Sequence, residues 1–202
     1  FEISGSKERG VLSGAPLRKA ESMAEQWQEL GPYTVFDFET TGMSPVRDRP
    51  VEIGAVRIET DGTLSRYTSL INPQMPIPRR AASVHGITDE MVADAPTFHK
   101  VGEEFVAFAE GSKLVAHNAR FDLAFLQESL HRSGLLTWNS GAYDSIAIVR
   151  KAFPGMPSYS LQSLRLSLSL GKGISGDAHR AMFDAELTAE LFALAMNRLY
   201  RL

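Results

Sequence analysis

The amino-acid sequence predicts an α/β fold: a sheet covered by helices on its faces. Two observations lead there. Residues 33–71 hold three strand-like stretches in succession, and from residue 88 onward helical spacing dominates, interrupted by one short apolar strand that runs straight into a helix.

The first thirty residues differ in texture from the rest of the chain. Ser, Gly and charge fill the positions up to Gly14, after which Leu17, Ala20, Met23, Ala24, Trp27 and Leu30 recur at helical spacing. A flexible lead plus one amphipathic helix is therefore expected over residues 1–31, stopped by Gly31-Pro32, with the main domain at 32–202. Covering the flank of that domain is the expected role of the helix. YTVFDF, VEIGAVRIET and LSRYTSLI come next as strands, with Asp61-Gly62 as the hairpin turn between the second and third. The Pro-rich stretch NPQMPIPRRAASVHG is expected to be a long irregular loop. Thr88 can cap a short helix through DEMV, and Phe98, Val101, Phe105, Val106 and Phe108 give a second helix ending near Gly111. KLVAH is a short buried strand. It leads into NARFDLAFLQESLHRSG, a helix with a broad apolar face that ends at Gly134. YSLQSLRLSLSL and HRAMFDAELTAELFALAMNRLY supply further helices.

Composition limits the chemistry. The 202 residues include no cysteine, which excludes thiolate metal sites and leaves only oxygen or imidazole ligands. The absence of cysteine fits a reducing, cytoplasmic setting, and a soluble protein is expected because no apolar run reaches the roughly 18 residues needed to cross a bilayer. Net charge is −3, so a polyanionic partner must be held by local basic clusters or by metal ions.

Successive side chains on a strand alternate faces, so Asp37 and Glu39 in VFDFETTG point one way while Phe36 and Phe38 point the other. Two like charges so placed raise each other's pKa unless a cation lies between them. Taken alone, the pair also fits an ordinary half-exposed position. Asp122, in the first turns of its helix, equally fits a helix-stabilising acid. Asp184 lies near the apolar stripe of the last helix and needs a partner or a metal there. His179, five residues earlier, would point about 140° away from Asp184 in a continuous helix, so it belongs on a loop before the helix start. Gly171, Gly173 and Gly176 spell G-x-G-x-x-G, but they follow a helical pattern rather than a strand; loop mobility accounts for them better than dinucleotide binding.

D-x-E-T-T-G on the first strand, H-N-A-x-F-D opening a middle helix and H-x-x-x-x-D near the C-terminus, in that order, resemble the DnaQ-like 3′→5′ exonucleases, the DEDDh branch of the ribonuclease H-like superfamily. The likeness covers roughly residues 33 to 198. It implies a mixed sheet, antiparallel over its first three strands and parallel beyond, flanked by helices on both faces. It also implies that Asp37, Glu39, Asp122 and Asp184 hold two divalent cations, Mg²⁺ or Mn²⁺, with His179 as general base. Two ions about 4 Å apart can activate water, clamp the charge of the transition state and help the 3′-oxygen leave. Oxygen ligands suit Mg²⁺ or Mn²⁺ and disfavour zinc.

By the same resemblance, Thr40, Thr41 and Gly42 meet the terminal nucleotide's 3′-hydroxyl and sugar, and Met43 wedges against its base. His85, Asn118 and Phe121 line the pocket, or else close a loop, cap a helix and fill the core. Arg47, Arg49, Arg79, Arg80, Arg120, Lys172 and Arg180 lie in or beside nearby loops and could touch phosphates. DFETTG and the segment after it look more like polymerase-associated proofreaders, including the exonuclease portion of PolC-type polymerases, than like oligoribonuclease. The expected substrate is therefore the 3′ end of single-stranded or frayed DNA, with RNA trimming as the alternative and a DNA polymerase as a partner. A catalytically silent binding module and an internally cutting nuclease are the other readings the residues leave open.

Overall fold

The computed structural model describes residues 26–201. Five strands form one sheet in the order β3-β2-β1-β4-β5: β1 is Tyr33–Thr40, β2 Pro50–Ile58, β3 Leu64–Leu70, β4 Lys113–Ala116 and β5 Ala142–Asp144. The β1–β2 and β2–β3 pairs are antiparallel, while β4 runs parallel to β1 and to β5. That is the expected mixed sheet. At the β2–β3 turn Gly62 adopts φ 83° and donates its N–H to Glu59 O, a conformation glycine reaches without a Cβ clash.

Seven helices are named here in chain order: α1 Arg79–His85, α2 Asp89–Val92, α3 Phe98–Ala109, α4 Ala119–Arg132, α5 Ser145–Ala152, α6 Leu161–Ser167 and α7 Ala181–Arg201. Thr88 caps α2 by accepting the Met91 N–H, as its position predicts. The 72–86 stretch differs from expectation, because α1 occupies its second half. All its prolines precede the helix, ending with Pro78 at the N-cap, and Gly86 closes it at φ 72°, so RRAASVH itself contains no breaker. The helix expected over residues 159–170 is shorter, 161–167. β5 and α5 were not anticipated: three residues of strand are too few to show a period.

Strand alternation sorts the core into two faces. Phe36, Phe38, Ile53 and Ala55 pack against Val101 and Phe105 of α3 and Phe125, Leu126 and Leu130 of α4. On the opposite face Tyr33, Val35, Val56 and Val115 meet Ala189, Phe192 and Ala193 of α7. Trp27, in a helical turn over 26–29, joins this second cluster at 1% exposure. Its Nε1–H donates to Asn197 Oδ1 at 2.7 Å, and its ring meets Phe192 edge-on at 5.5 Å. The rest of the expected lead and helix, residues 1–25, lies outside the described residues. Among the described residues, no helix is long and apolar enough to cross a membrane.

Candidate active site

The ladder between β1 and β4 spans only Tyr33–Val35, so the C-terminal half of β1 lacks a strand neighbour on that side. In open α/β sheets, ligands bind beyond the C-terminal ends of the strands, where connections diverge to either side. Asp122 moves into the gap from the first turn of α4: 3% exposed, it accepts the Phe38 N–H on Oδ1 at 3.1 Å. A register shift between Glu39 and Thr40 ends the regular pairing with β2 here, and Pro50, which has no N–H to give, stands opposite Thr40.

Asp37 and Glu39 share the α7 face of the sheet. Opposite Asp37 is Gly54, and a Cβ added there would sit 2.5 Å from the backbone of Ala181 and Met182. Only glycine lets the start of α7 lie this close to the strands. The approach brings Asp184 in, so that one carboxylate oxygen from each of Asp37, Glu39 and Asp184 lies within 4.8 Å of the others. Asp122 stands outside this triad but acts on it electrostatically. Asp37 keeps some exposed surface overall, yet its Oδ2 is closed to solvent and has no hydrogen-bond partner.

The protein alone holds these charges poorly. Burial, then Asp122, Glu39, Asp184 and Glu52, push Asp37 well above the usual carboxylate range. Burial, then Asp184, Glu52 and Asp122, raise Glu39 to about 9, against a smaller lowering by Arg180. Asp122 is pushed up to about 8, chiefly by burial, and Asp184 to about 6, where His179 and its backbone N–H pull the other way. A buried oxygen without a partner and clustered acids of raised pKa have the chemistry of an all-oxygen ligand set for a hard cation. The donor set fits a hard divalent ion.

His179 lies before α7, as its spacing from Asp184 predicts. It is exposed, adopts the left-handed φ of 62°, and donates its backbone N–H to Asp184 Oδ1 at 3.4 Å. Gly171, Gly173 and Gly176 all have positive φ in the loop before it. Arg180 is committed elsewhere than to a phosphate. Its Nε–H and Nη2–H form a fork onto Glu52 at 3.0 and 2.7 Å, and Glu52 also accepts the Ala181 N–H at 2.9 Å. Glu52, buried beside Glu39 on the neighbouring strand, thus fixes the start of α7; within VEIGAV it reads as an ordinary strand residue, and no local signal marks it.

Around the triad, Thr40 Oγ1–H donates to Gly42 O at 2.6 Å. Thr41 is buried, and its Oγ1 donates to Asp48 and accepts the Arg49 N–H. Gly42 is packed on the Asp48 carboxylate, leaving no room for a side chain, and Met43 projects from the loop at 78% exposure. His85 is buried at the end of α1. Its Nδ1 accepts the Ile87 N–H, so Nε2–H donates to Thr40 O at 3.1 Å, and both nitrogens are used on backbone. Asn118 is exposed in a left-handed conformation, and its side chain makes no cap bond. Its N–H donates instead to Asp144 Oδ1, which also caps α5. Phe121 packs part-buried on the core, 4.8 Å from the Phe125 ring. The neighbouring His117, in the same motif, spans the Ser145 hydroxyl and Tyr159 O, and burial lowers its pKa.

The exonuclease family model RNase_T matches residues 34–192. The chain is 36% identical over 160 residues to the DNA polymerase III subunit epsilon of Treponema pallidum, covering 79% of this chain and 74% of that protein. It is 35% identical over 197 residues to the DNA polymerase III PolC-type of Caldanaerobacter subterraneus subsp. tengcongensis, where it spans 98% of itself but 14% of the relative. A solved structure of exonuclease X in complex with 5′ overhanging duplex DNA aligns with a TM-score of 0.64 at 29% identity, over 82% of this chain and 91% of that one. The gathered carboxylates, the mixed sheet and these likenesses agree: this chain belongs to the exonuclease family that includes the DNA polymerase III subunit epsilon and PolC-type polymerases of bacteria.

Proposed function

We propose that the protein removes nucleotides stepwise from 3′ ends of single-stranded or mispaired DNA, releasing nucleoside 5′-monophosphates. Asp37, Glu39, Asp122 and Asp184 would hold divalent cations, Mg²⁺ or Mn²⁺. The observation that carries the reading is the triad of carboxylate oxygens within 4.8 Å, with Asp37 Oδ2 buried and unpartnered. Bound, the ions supply Lewis acidity for the phosphodiester and its attacking water.

The chain's own groups divide the remaining work. His179, exposed on its loop before α7, takes a proton from the attacking water as that oxygen bonds to phosphorus; the P–O3′ bond breaks and the departing oxygen is protonated by solvent. Asp122 is held by the Phe38 N–H, which fixes its carboxylate at the edge of β1. Thr40 and Gly42 offer the terminal sugar a backbone locked by His85 and Asp48. Met43 stands clear to meet the base, and Asn118 and Phe121 border the opening of α4. The names of the relatives favour DNA, with a replicative polymerase as partner.

The test uses 5′-labelled DNA and RNA strands of matched sequence with Mg²⁺, with Mn²⁺ and with chelator. A ladder of products shortened from the 3′ end of DNA, absent in chelator, is expected. A ladder on RNA alone would reassign the substrate, and internal cuts would reject the exonuclease reading.

A further inference from the structure

Behind the loop that carries Met43 is a second concave site, a cavity of about 140 Å³. A single water needs about 10–15 Å³ of such space, so there is room for a larger polar group. Arg49 and Arg132 both line it. Arg49 directs Nη1 to Pro73 O and Arg132 directs Nη2 to Pro45 O and Val46 O, which leaves donors of each planar fork uncommitted. No carboxylate pairs with either guanidinium among the described residues. Burial, then the Arg49 charge, lowers the Arg132 pKa, with Glu128 acting weakly the other way.

Two further features converge on the same space. Thr97, Phe98 and His99, at the N-terminal end of the 12-residue α3, line the cavity. The first turn of α3 carries no acid, and the Thr97 side chain makes no cap bond. An uncapped helix start presents N–H groups and partial positive charge. Ser129 of α4 also lines the cavity at 1% exposure, and its hydroxyl has no hydrogen-bond partner. A buried orphan hydroxyl is costly unless something accepts from it.

We propose that this cavity binds a phosphate group, held by Arg49, Arg132, the start of α3 and the Ser129 hydroxyl. Forked guanidiniums and helix N-termini are the protein groups best matched to phosphate oxygens. The Arg49 N–H bonds to Thr41 Oγ1, two residues beyond Glu39, so one short segment links the cavity's rim to the end of β1 that carries Asp37 and Glu39. A backbone phosphate of the substrate strand, a few nucleotides from the end being trimmed, is one source, and that assignment rests on the exonuclease reading. A free phosphate monoester is the other.

The test compares the intact chain with its Ser129→Ala and Arg49→Gln variants in chelator, where nothing is hydrolysed. Inorganic phosphate is titrated calorimetrically, and a fluorescent single-stranded oligonucleotide is titrated by anisotropy over a range of salt. Ser129→Ala should weaken phosphate binding about tenfold while leaving thermal stability equal or higher, because an unpartnered buried hydroxyl has been removed. Arg49→Gln should lower the slope of log K against log salt for the oligonucleotide by about 0.7, one phosphate contact on a single strand. Weaker phosphate binding with an unchanged slope would keep the phosphate site and assign it to a free monoester. No phosphate binding by the unaltered protein, or unchanged phosphate affinity and slope in both variants, overturns the proposal. Failure of the unaltered protein to trim 3′ ends would instead remove the exonuclease reading and leave the phosphate titration standing.

Discussion

One strand and one helix build both ends of the α7 face, and the two ends are opposites. At one end, Tyr33 of β1 and Phe192 of α7 close with Trp27 into an aromatic plug with ring centroids 5.1–5.8 Å apart. At the other, Asp37 and Glu39 of β1 and Asp184 of α7 are pressed together, and nearby positive groups such as Arg180 and Arg165 only partly offset burial and repulsion. Switching from aromatic to acidic residues at alternate positions along the same strand converts a region that stabilises the fold into one that opposes it. The plug anchors the sheet and helix whose far ends carry the repulsion.

The largest effect should separate the ends outright. Asp184→Ala is expected to reduce 3′-end trimming on the order of 10³-fold, several kcal/mol of transition-state stabilisation. In chelator it should raise the melting temperature, because one repelling charge has gone. A melting temperature that falls instead would break the contrast. Trp27→Ala should do the reverse: a stability loss of about 3–5 kcal/mol by denaturant titration, with kcat of the folded fraction nearly unaltered. Gly54→Ala couples the two regions. Its Cβ would meet the α7 backbone at 2.5 Å, so α7 must shift, costing roughly 1–3 kcal/mol and moving Asp184 off the triad. Activity should fall in greater proportion than stability, which steady-state kinetics alongside melting curves would check.

Stability should also depend on pH. Above the ordinary carboxylate range the unfolded chain has released protons that native Asp37, Glu39, Asp122 and Asp184 still hold. The folded state therefore binds more protons, and its stability in chelator falls as pH rises through these raised values, from about 6 at Asp184 to about 9 at Glu39. Adding Mg²⁺ at alkaline pH should reverse the fall, by about 2.7 kcal/mol at a hundred times its Kd. Melting curves across pH with and without Mg²⁺ measure both. A flat profile in chelator would mean that the acids are not in conflict.

Much of this contrast was legible in the sequence, because period-2 alternation and helix-start positions are local. Asp37 and Glu39 sharing a face, Asp122 in a first helical turn and His179 ahead of its helix all follow from spacing along the chain. Glu52 and Gly54 were not legible as site residues. Their importance comes from the β1–β2 register and from where α7 crosses the strands, pairings that join positions up to 129 residues apart. Asp144 is hidden for the same reason, since it acts on a backbone group of a distant segment, and although His85 stands out as a candidate, its bond to Thr40 O is equally non-local. Helix α1 was obscured by composition, because the prolines that mark irregular chain all precede it.

The Arg180 fork onto Glu52 immediately follows His179, at the end of a loop with three positive-φ glycines. The fork pins the chain just after His179 to Glu52, beside the carboxylates. His179, the proposed proton acceptor, is tied to the same cluster by its backbone N–H on Asp184 Oδ1 at 3.4 Å, so imidazole and carboxylates are coupled through this bond. Lengthening or stiffening the glycine run is therefore expected to shift turnover and the position of Asp184 together.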